Sequence, residues 1–164
     1  MQNLFSDLEG LRVAVEIEAR GREFYRQAGE QAKQPEHREL FQWLMGEELT
    51  HLERFTAIYN DINNRKEAHS EEYLYDPEIS RYLTVIAEHH VFPKQEEAPA
   101  KIAELKSVSA ILHTALQAEK DSVLFYDELA ANAKFPDAKE IFKRLKAEEQ
   151  SHVVTIREKL NQWA

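Results

Sequence analysis

Apolar residues recur at helical spacing along most of the chain, interrupted at a few prolines. Leu8, Leu11, Val15, Phe24 and Tyr25 fall on or near one side of a helix predicted from Ser6 to about Lys33. Ser6-Asp7-Leu8-Glu9 reads as a capping box, in which the Ser6 hydroxyl and the Glu9 carboxylate satisfy backbone donors at the helix start. Glu18 lies on the apolar side of this helix, where a carboxylate needs a reason. Pro35 interrupts, and a second helix predicted from about Glu36 to Asn63 turns Leu40, Phe41, Leu44, Glu48, His51, Leu52 and Phe55 inward. So short a connection makes the two helices antiparallel neighbours.

From 64 to 106 the pattern weakens, with Pro77, Pro93 and Pro99 among many charges. Ile79, Tyr82, Leu83 and Ile86 predict a short helix from Pro77 to about His90, and the whole segment suits a crossover along the outside of a bundle. A third helix is expected from Ser107 to near Lys134, and a fourth from Pro136 to the chain end. The expected fold is an all-α four-helix bundle of two helix pairs, in one domain spanning residues 1–164.

The two pairs are copies of one unit. Glu18, Glu48 and His51 reappear as Glu119, Glu149 and His152, and 119 − 18 and 149 − 48 both give 101. The same shift carries Ser6 onto Ser107, Pro35 onto Pro136, Phe41 onto Phe142 and Leu44 onto Leu145 without a gap.

Composition narrows the chemistry. Few glycines and prolines support the all-helical reading, and a formal charge of −9 disfavours nucleic acid and anionic membranes as partners. The chain has no cysteine, which excludes disulfides, thiolate catalysis, iron–sulfur clusters and cysteine-bound zinc. No apolar run approaches the roughly 20 residues of a membrane span, and the start of the sequence lacks a signal-peptide pattern, so a cytoplasmic location is the expectation.

A lone Glu-x-x-His carries little information in so glutamate-rich a chain, but two in duplicate register carry much. Residues three apart on a helix lie about 60° from one another, so each Glu-x-x-His aims a carboxylate and an imidazole at one point. With one further glutamate from each partner helix, Glu18, Glu48, His51, Glu119, Glu149 and His152 are expected to converge at the bundle centre. Four ionised carboxylates in an apolar interior repel one another, whereas two divalent cations cancel them. Oxygen and imidazole ligands suit iron or manganese, and this ligand set is that of ferritin-like di-metal carboxylate proteins.

The chain resembles the rubrerythrin branch of that superfamily. Residues 18–25 and 119–126, each opening on Glu and closing on Phe-Tyr, carry the likeness together with Glu47-Glu48-Leu49-Thr50-His51 and Glu148-Glu149-Gln150-Ser151-His152. Val91-Phe92-Pro93 is similar to a segment between the helix pairs of small rubrerythrin-like proteins. The resemblance implies two iron ions, with manganese or a mixed pair as variants, that react with hydrogen peroxide or oxygen. The alternative it leaves is an iron-binding, ferroxidase or storage role. Two features depart from the family pattern. Rubrerythrins typically add a rubredoxin module with four cysteines, so electrons here would come from an external donor protein or small reductant. They also place an extra glutamate one turn after the third-helix ligand, where this chain has Ser122. A homodimer through an apolar helix face is the expected assembly.

Other candidates carry less weight. Tyr25 and Tyr126 lie seven residues after Glu18 and Glu119, where their hydroxyls either bond a ligand carboxylate or cap ordinary core packing. Glu47 and Glu148, about 100° around the helix from the ligands, are expected to be solvated or ion-paired. His89 and His90 are expected as an exposed pair; His37, His69 and His113 lack a carboxylate at metal spacing; Trp43 and Trp163 are expected as core or interface aromatics.

Overall fold

A computed structural model describes residues 3–163. Helices α1 (Asp7–Gln31) and α2 (Pro35–Asn63) form one antiparallel pair. Helices α3 (Pro77–Glu88) and α4 (Ala98–Glu104) belong to the crossover, and α5 (Val108–Asn132) and α6 (Pro136–Trp163) form the second pair. Among the described residues the only strand-like pairing is a bridge between Ser6 and Leu74. No helix among them is long and apolar enough to cross a membrane.

The caps follow local chemistry. Ser6 Oγ accepts from the Glu9 backbone N–H at 3.2 Å, and Ser107 Oγ accepts from the Ala110 N–H at 3.1 Å, so the duplicated serines start the duplicated helices. The other half of the expected capping box is not made: the Glu9 carboxylate turns outward and grips Arg12 at 2.6 and 3.0 Å. A bidentate guanidinium partner one turn away is the stronger bond for an exposed carboxylate. Proline stands in the first turn of α2, where its missing N–H costs no intrahelical bond.

The crossover is more ordered and more deeply inserted than its sequence suggests. Short 3-10 turns at Lys66–His69 and Glu71–Tyr73 lead into α3, which ends at Glu88 rather than His90. Helix α4 was not expected, because Pro99 reads as an interruption; it falls in the first turn, where proline is tolerated. Leu83, Phe92, Ala98 and Ile102 from this segment are all buried.

Two apolar clusters fill the bundle. One holds Leu11, Phe55, Phe125, Tyr126, Phe142 and Leu145; the other holds Phe24, Tyr25, Phe41, Leu44, Leu112 and Ile156. Duplicated partners such as Phe41 and Phe142 fall in opposite clusters, as a pseudo-twofold arrangement of the copies requires. Asp7 clamps one end of the bundle. Its buried carboxylate accepts from the backbone N–H groups of Lys134 (3.0 Å) and Phe135 (2.7 Å) and from the Tyr75 hydroxyl, tying α1 to the α5–α6 turn and to the crossover.

Asp7→Ala strands these buried donors. It is expected to lower stability by about 3 kcal/mol, the scale of leaving several buried polar groups unpaired. Urea unfolding followed by circular dichroism measures the loss; a change within error would show that the clamp is not a stabilising contact.

Candidate metal centre

Between the two apolar clusters, α1, α2, α5 and α6 each send ionisable side chains to the bundle axis. Glu18, Glu48, His51, Glu119, Glu149 and His152 are all 0–1% exposed. Two overlapping sets have ligand atoms within 4.8 Å of one another: Glu18, Glu48, His51 and Glu149, and Glu48, Glu119, Glu149 and His152. Glu48 and Glu149 belong to both sets and so lie where a carboxylate can span two cations. Glu18 Oε2, Glu48 Oε1 and Glu119 Oε2 are buried without a hydrogen-bond partner, which is the condition of atoms suited to a cation. The donor set, oxygen with imidazole nitrogen, fits a divalent transition metal.

The tyrosines act across the duplication. Tyr25 on α1 donates to Glu119 Oε1 on α5 at 2.6 Å, and Tyr126 on α5 donates to Glu18 Oε1 on α1 at 2.6 Å. Each fixes one carboxylate oxygen of the opposite pair, while the other, Oε2 in both, makes no hydrogen bond. Burial, reinforced by the surrounding carboxylates, pushes both phenols well above their ordinary range, so they remain donors.

The metal-free cluster balances its own charge. Burial, with the charges of neighbouring glutamates, drives Glu48 and Glu149 well above the usual carboxyl range, so these two hold protons. Burial also works against ionising Glu119, but the neighbouring Glu149 and His152 and the hydrogen bond from Tyr25 outweigh it and bring this group down to about 2. Glu18 is lowered in the same way by Glu48, His51 and Tyr126. Burial opposes charge on the imidazoles, but contacts to Glu149 and Glu18 raise His51 to about 11, and contacts to Glu119 and Glu149 raise His152 to about 10. Two carboxylates and two imidazolium ions sum to zero. Four carboxylates, two neutral imidazoles and two divalent cations would also sum to zero.

The two histidines are supported differently. His51 Nδ1 donates to Glu149 Oε1 at 2.8 Å, while Nε2 lies 2.9 Å from Glu148 Oε2, and Arg54 Nη1 donates to the same Glu148 at 3.1 Å. Glu148 is thus ion-paired, and it directs the His51 Nδ1 edge into the cluster. His152 Nδ1 contacts Glu149 Oε2 at 3.2 Å, but its Nε2 is 3.7 Å from Glu47 and has no hydrogen-bond partner. The ion pairing of Glu148 agrees with the expectation of a solvated or ion-paired residue, whereas its contact with His51 was not foreseen; adjacency to Glu48 and Glu149 in both copies was the available signal.

The crossover closes the opposite side. His90 is buried, contrary to the expectation of an exposed pair; His89 is exposed. The Phe92 N–H donates to His90 Nδ1 at 3.2 Å, which leaves His90 Nε2 to donate to Ser122 Oγ at 3.0 Å. Burial lowers His90 to about 4, so it is neutral at ordinary pH. Phe92 packs 5.3 Å from Phe24 and 5.6 Å from Tyr25, ring centre to centre. Gly21 makes this fit: a Cβ there would stand 2.9 Å from the Phe92 ring and 3.2 Å from the Glu48 carboxylate. No spacing rule could place a loop histidine against a residue thirty-two positions away. Trp43, expected as a core or interface aromatic, is 43% exposed and so is not in the core.

A four-helix bundle with a buried, duplicated carboxylate–imidazole cluster defines a ferritin-like metal-site protein. The chain belongs to the rubrerythrin family, whose family model matches residues 9–89 and 110–163. A solved structure of a hypothetical protein from Pyrococcus furiosus has the same fold, with a TM-score of 0.67 and 24% identity over 97% of this chain and 92% of that one. Comparison with curated proteins finds no match.

Charge balance makes a prediction about pH. In the metal-free protein Glu48, Glu149, His51 and His152 bind protons more tightly folded than unfolded, so the folded state holds excess protons from about pH 4.5 up to about pH 11. Metal-free stability should therefore fall as pH rises through this range. Glu119, whose proton affinity is lowered, contributes stability that is fully present above its unfolded value and is lost progressively as pH falls from there through about 2, and the lowered Glu18 acts in the same direction. Metal affinity should rise with pH as protons are displaced. Melting temperatures with and without metal should diverge from pH 5 to pH 9; parallel curves would show that the cluster does not exchange protons for metal.

Proposed function

We propose that the cluster holds two iron ions and that the protein reduces hydrogen peroxide to water with electrons from an external donor. The observation that carries this reading is the pair of overlapping ligand sets sharing Glu48 and Glu149, with three carboxylate oxygens left unpartnered in a dry interior. A single ion would occupy one of the two overlapping ligand sets and leave the rest of the cluster balanced by protons, whereas two ions would use all six residues. Membership of the rubrerythrin family supports the same reading.

Glu18 and His51 would serve one ion, Glu119 and His152 the other, and Glu48 and Glu149 both. Two iron ions bound there supply the two electrons that convert peroxide and two protons to two molecules of water. The chain's own residues set the conditions for that exchange. Tyr25 and Tyr126 hold Glu119 and Glu18 in orientation, so that one oxygen of each faces the site. Glu148 keeps the His51 Nε2 proton in place and presents Nδ1 as the ligand atom. The apolar clusters on both sides, with Phe92 across one face, exclude bulk water and strengthen each charge contact inside.

Anaerobic titration with Fe(II) should saturate at two equivalents, and Glu48→Ala and Glu149→Ala should weaken uptake alike, because the duplication gives them equivalent positions. Saturation at one equivalent, or loss on only one of the two substitutions, would refute a shared dinuclear site. In stopped-flow mixing the reduced iron-loaded protein should oxidise faster with hydrogen peroxide than with oxygen, and steady turnover should need an added donor. Faster oxidation by oxygen coupled to mineral deposition would assign the protein to iron storage instead.

A further inference from the structure

The proposed cycle needs two electrons from outside for each peroxide, yet all six candidate ligands are buried and no donor can touch them. The chain has no cysteine with which to build an electron-transfer centre of its own. An aromatic side chain that reaches both solvent and a ligand is therefore the feature to find.

Trp43 on α2 meets that description. Its side chain is 43% exposed, and its ring lies 5.4 Å from the His152 ring, edge to face at 76°. The His152 ring in turn stacks on His51, 5.5 Å between centres and 14° between planes. The two tyrosines beside the cluster are fully buried and cannot meet a donor. Among the described residues, no other exposed aromatic ring packs against either candidate histidine.

The duplication points to a specific use. The position equivalent to Trp43, 101 residues later, is Arg144. His51 has Glu148 and Arg54 at its outer edge, where His152 has the indole ring and only a distant Glu47. The ring is thus a departure from the repeat made beside one imidazole. Its rim is acidic: Glu36 and Glu39 line the groove that Trp43 shares with Lys159 and Trp163, and Glu47 stands one turn along the helix.

We propose that Trp43 is the electron entry point of the metal centre, receiving electrons from a reduced one-electron carrier protein that docks with a basic face over the acidic rim. The inference rests on the function proposed above. Two successive carriers each lose one electron, and together they return two Fe(III) to two Fe(II); no bond is made or broken and the indole is left unchanged. His152 is the imidazole through which the electron passes from the ring to the centre. Opposite charge on carrier and rim speeds encounter and weakens with salt.

Two measurements test this. The chain has two tryptophans, so Trp163→Phe leaves Trp43 as the sole indole emitter. Cobalt(II) should quench its fluorescence strongly, and the emission of Trp43→Phe, which keeps Trp163, much less; equal quenching would remove Trp43 from the neighbourhood of the centre. In the second, the oxidised iron-loaded protein is mixed with the methyl viologen radical cation and its near-ultraviolet absorption followed. Trp43→Gln should slow reduction several-fold, Trp43→Tyr should restore most of the rate, and added salt should slow the unsubstituted protein. Leu124→Gln, which alters a comparably exposed side chain on α5 (48%), is the control and should leave reduction unchanged. Oxidation of the reduced Trp43→Gln protein by peroxide should keep its speed, which separates electron entry from damage to the site. Reduction of Trp43→Gln at the unsubstituted rate would overturn the proposal while leaving the proposed function standing. Failure to bind two iron ions would overturn both.

Discussion

Four carboxylates cannot share a dry interior unless their charge is cancelled, and this requirement organises the molecule. Without metal the cancellation is done by protons: two stay on Glu48 and Glu149, and two more make His51 and His152 cationic. With two divalent cations the same net charge is reached with every carboxylate ionised. Protons and divalent cations are thus two ways of meeting the same electrostatic requirement. The apolar clusters on either side, and the tyrosines that fix Glu18 and Glu119, keep the carboxylates in place.

The duplicated pairs supply candidate ligands symmetrically, but what surrounds these residues is not symmetric. On the α1 and α5 side the crossover lays one segment across the pseudo-twofold axis. There the equivalent positions Gly21 and Ser122 do different jobs: Gly21 admits the Phe92 ring beside Glu48, and Ser122 accepts from His90. On the α2 and α6 side, Arg54 fastens Glu148 against His51, whereas the equivalent of Arg54 is Thr155, which offers no cation to hold Glu47 against His152. One face is sealed by an inserted aromatic and the other opens at Trp43. A repeat that kept its candidate ligands while differentiating their neighbours gives the two halves of the cluster different environments.

The α1 start illustrates how one buried charge can settle connectivity. Asp7 could have been read as an ordinary acidic residue in a helix first turn, a favourable place for it. Its carboxylate instead collects donors from the α5–α6 turn and the crossover, joining three segments remote in sequence. The clamp closes the end of the bundle away from α4, and the Phe5 N–H adds a bond to Ser80 Oγ at 2.9 Å on the same side.

Much of this was legible in the chain itself. Helical periodicity gave α1, α2, α5 and α6 to within a few residues at their ends, and the constant offset between the copies singled out the six residues that the fold brings together. Both signals are local or repeated, so they survive in one dimension. The insertion of Phe92, the burial of His90, the clamp at Asp7 and the pairing of each tyrosine with the glutamate of the opposite copy were decided only by the tertiary structure. Each depends on where remote segments meet, and periodicity along a helix says which face turns inward without saying what it will face. The outward turn of Glu9 toward Arg12 and the helix begun at Ala98 fell between the two, because neighbouring residues offered competing local bonds and the packed fold selected among them.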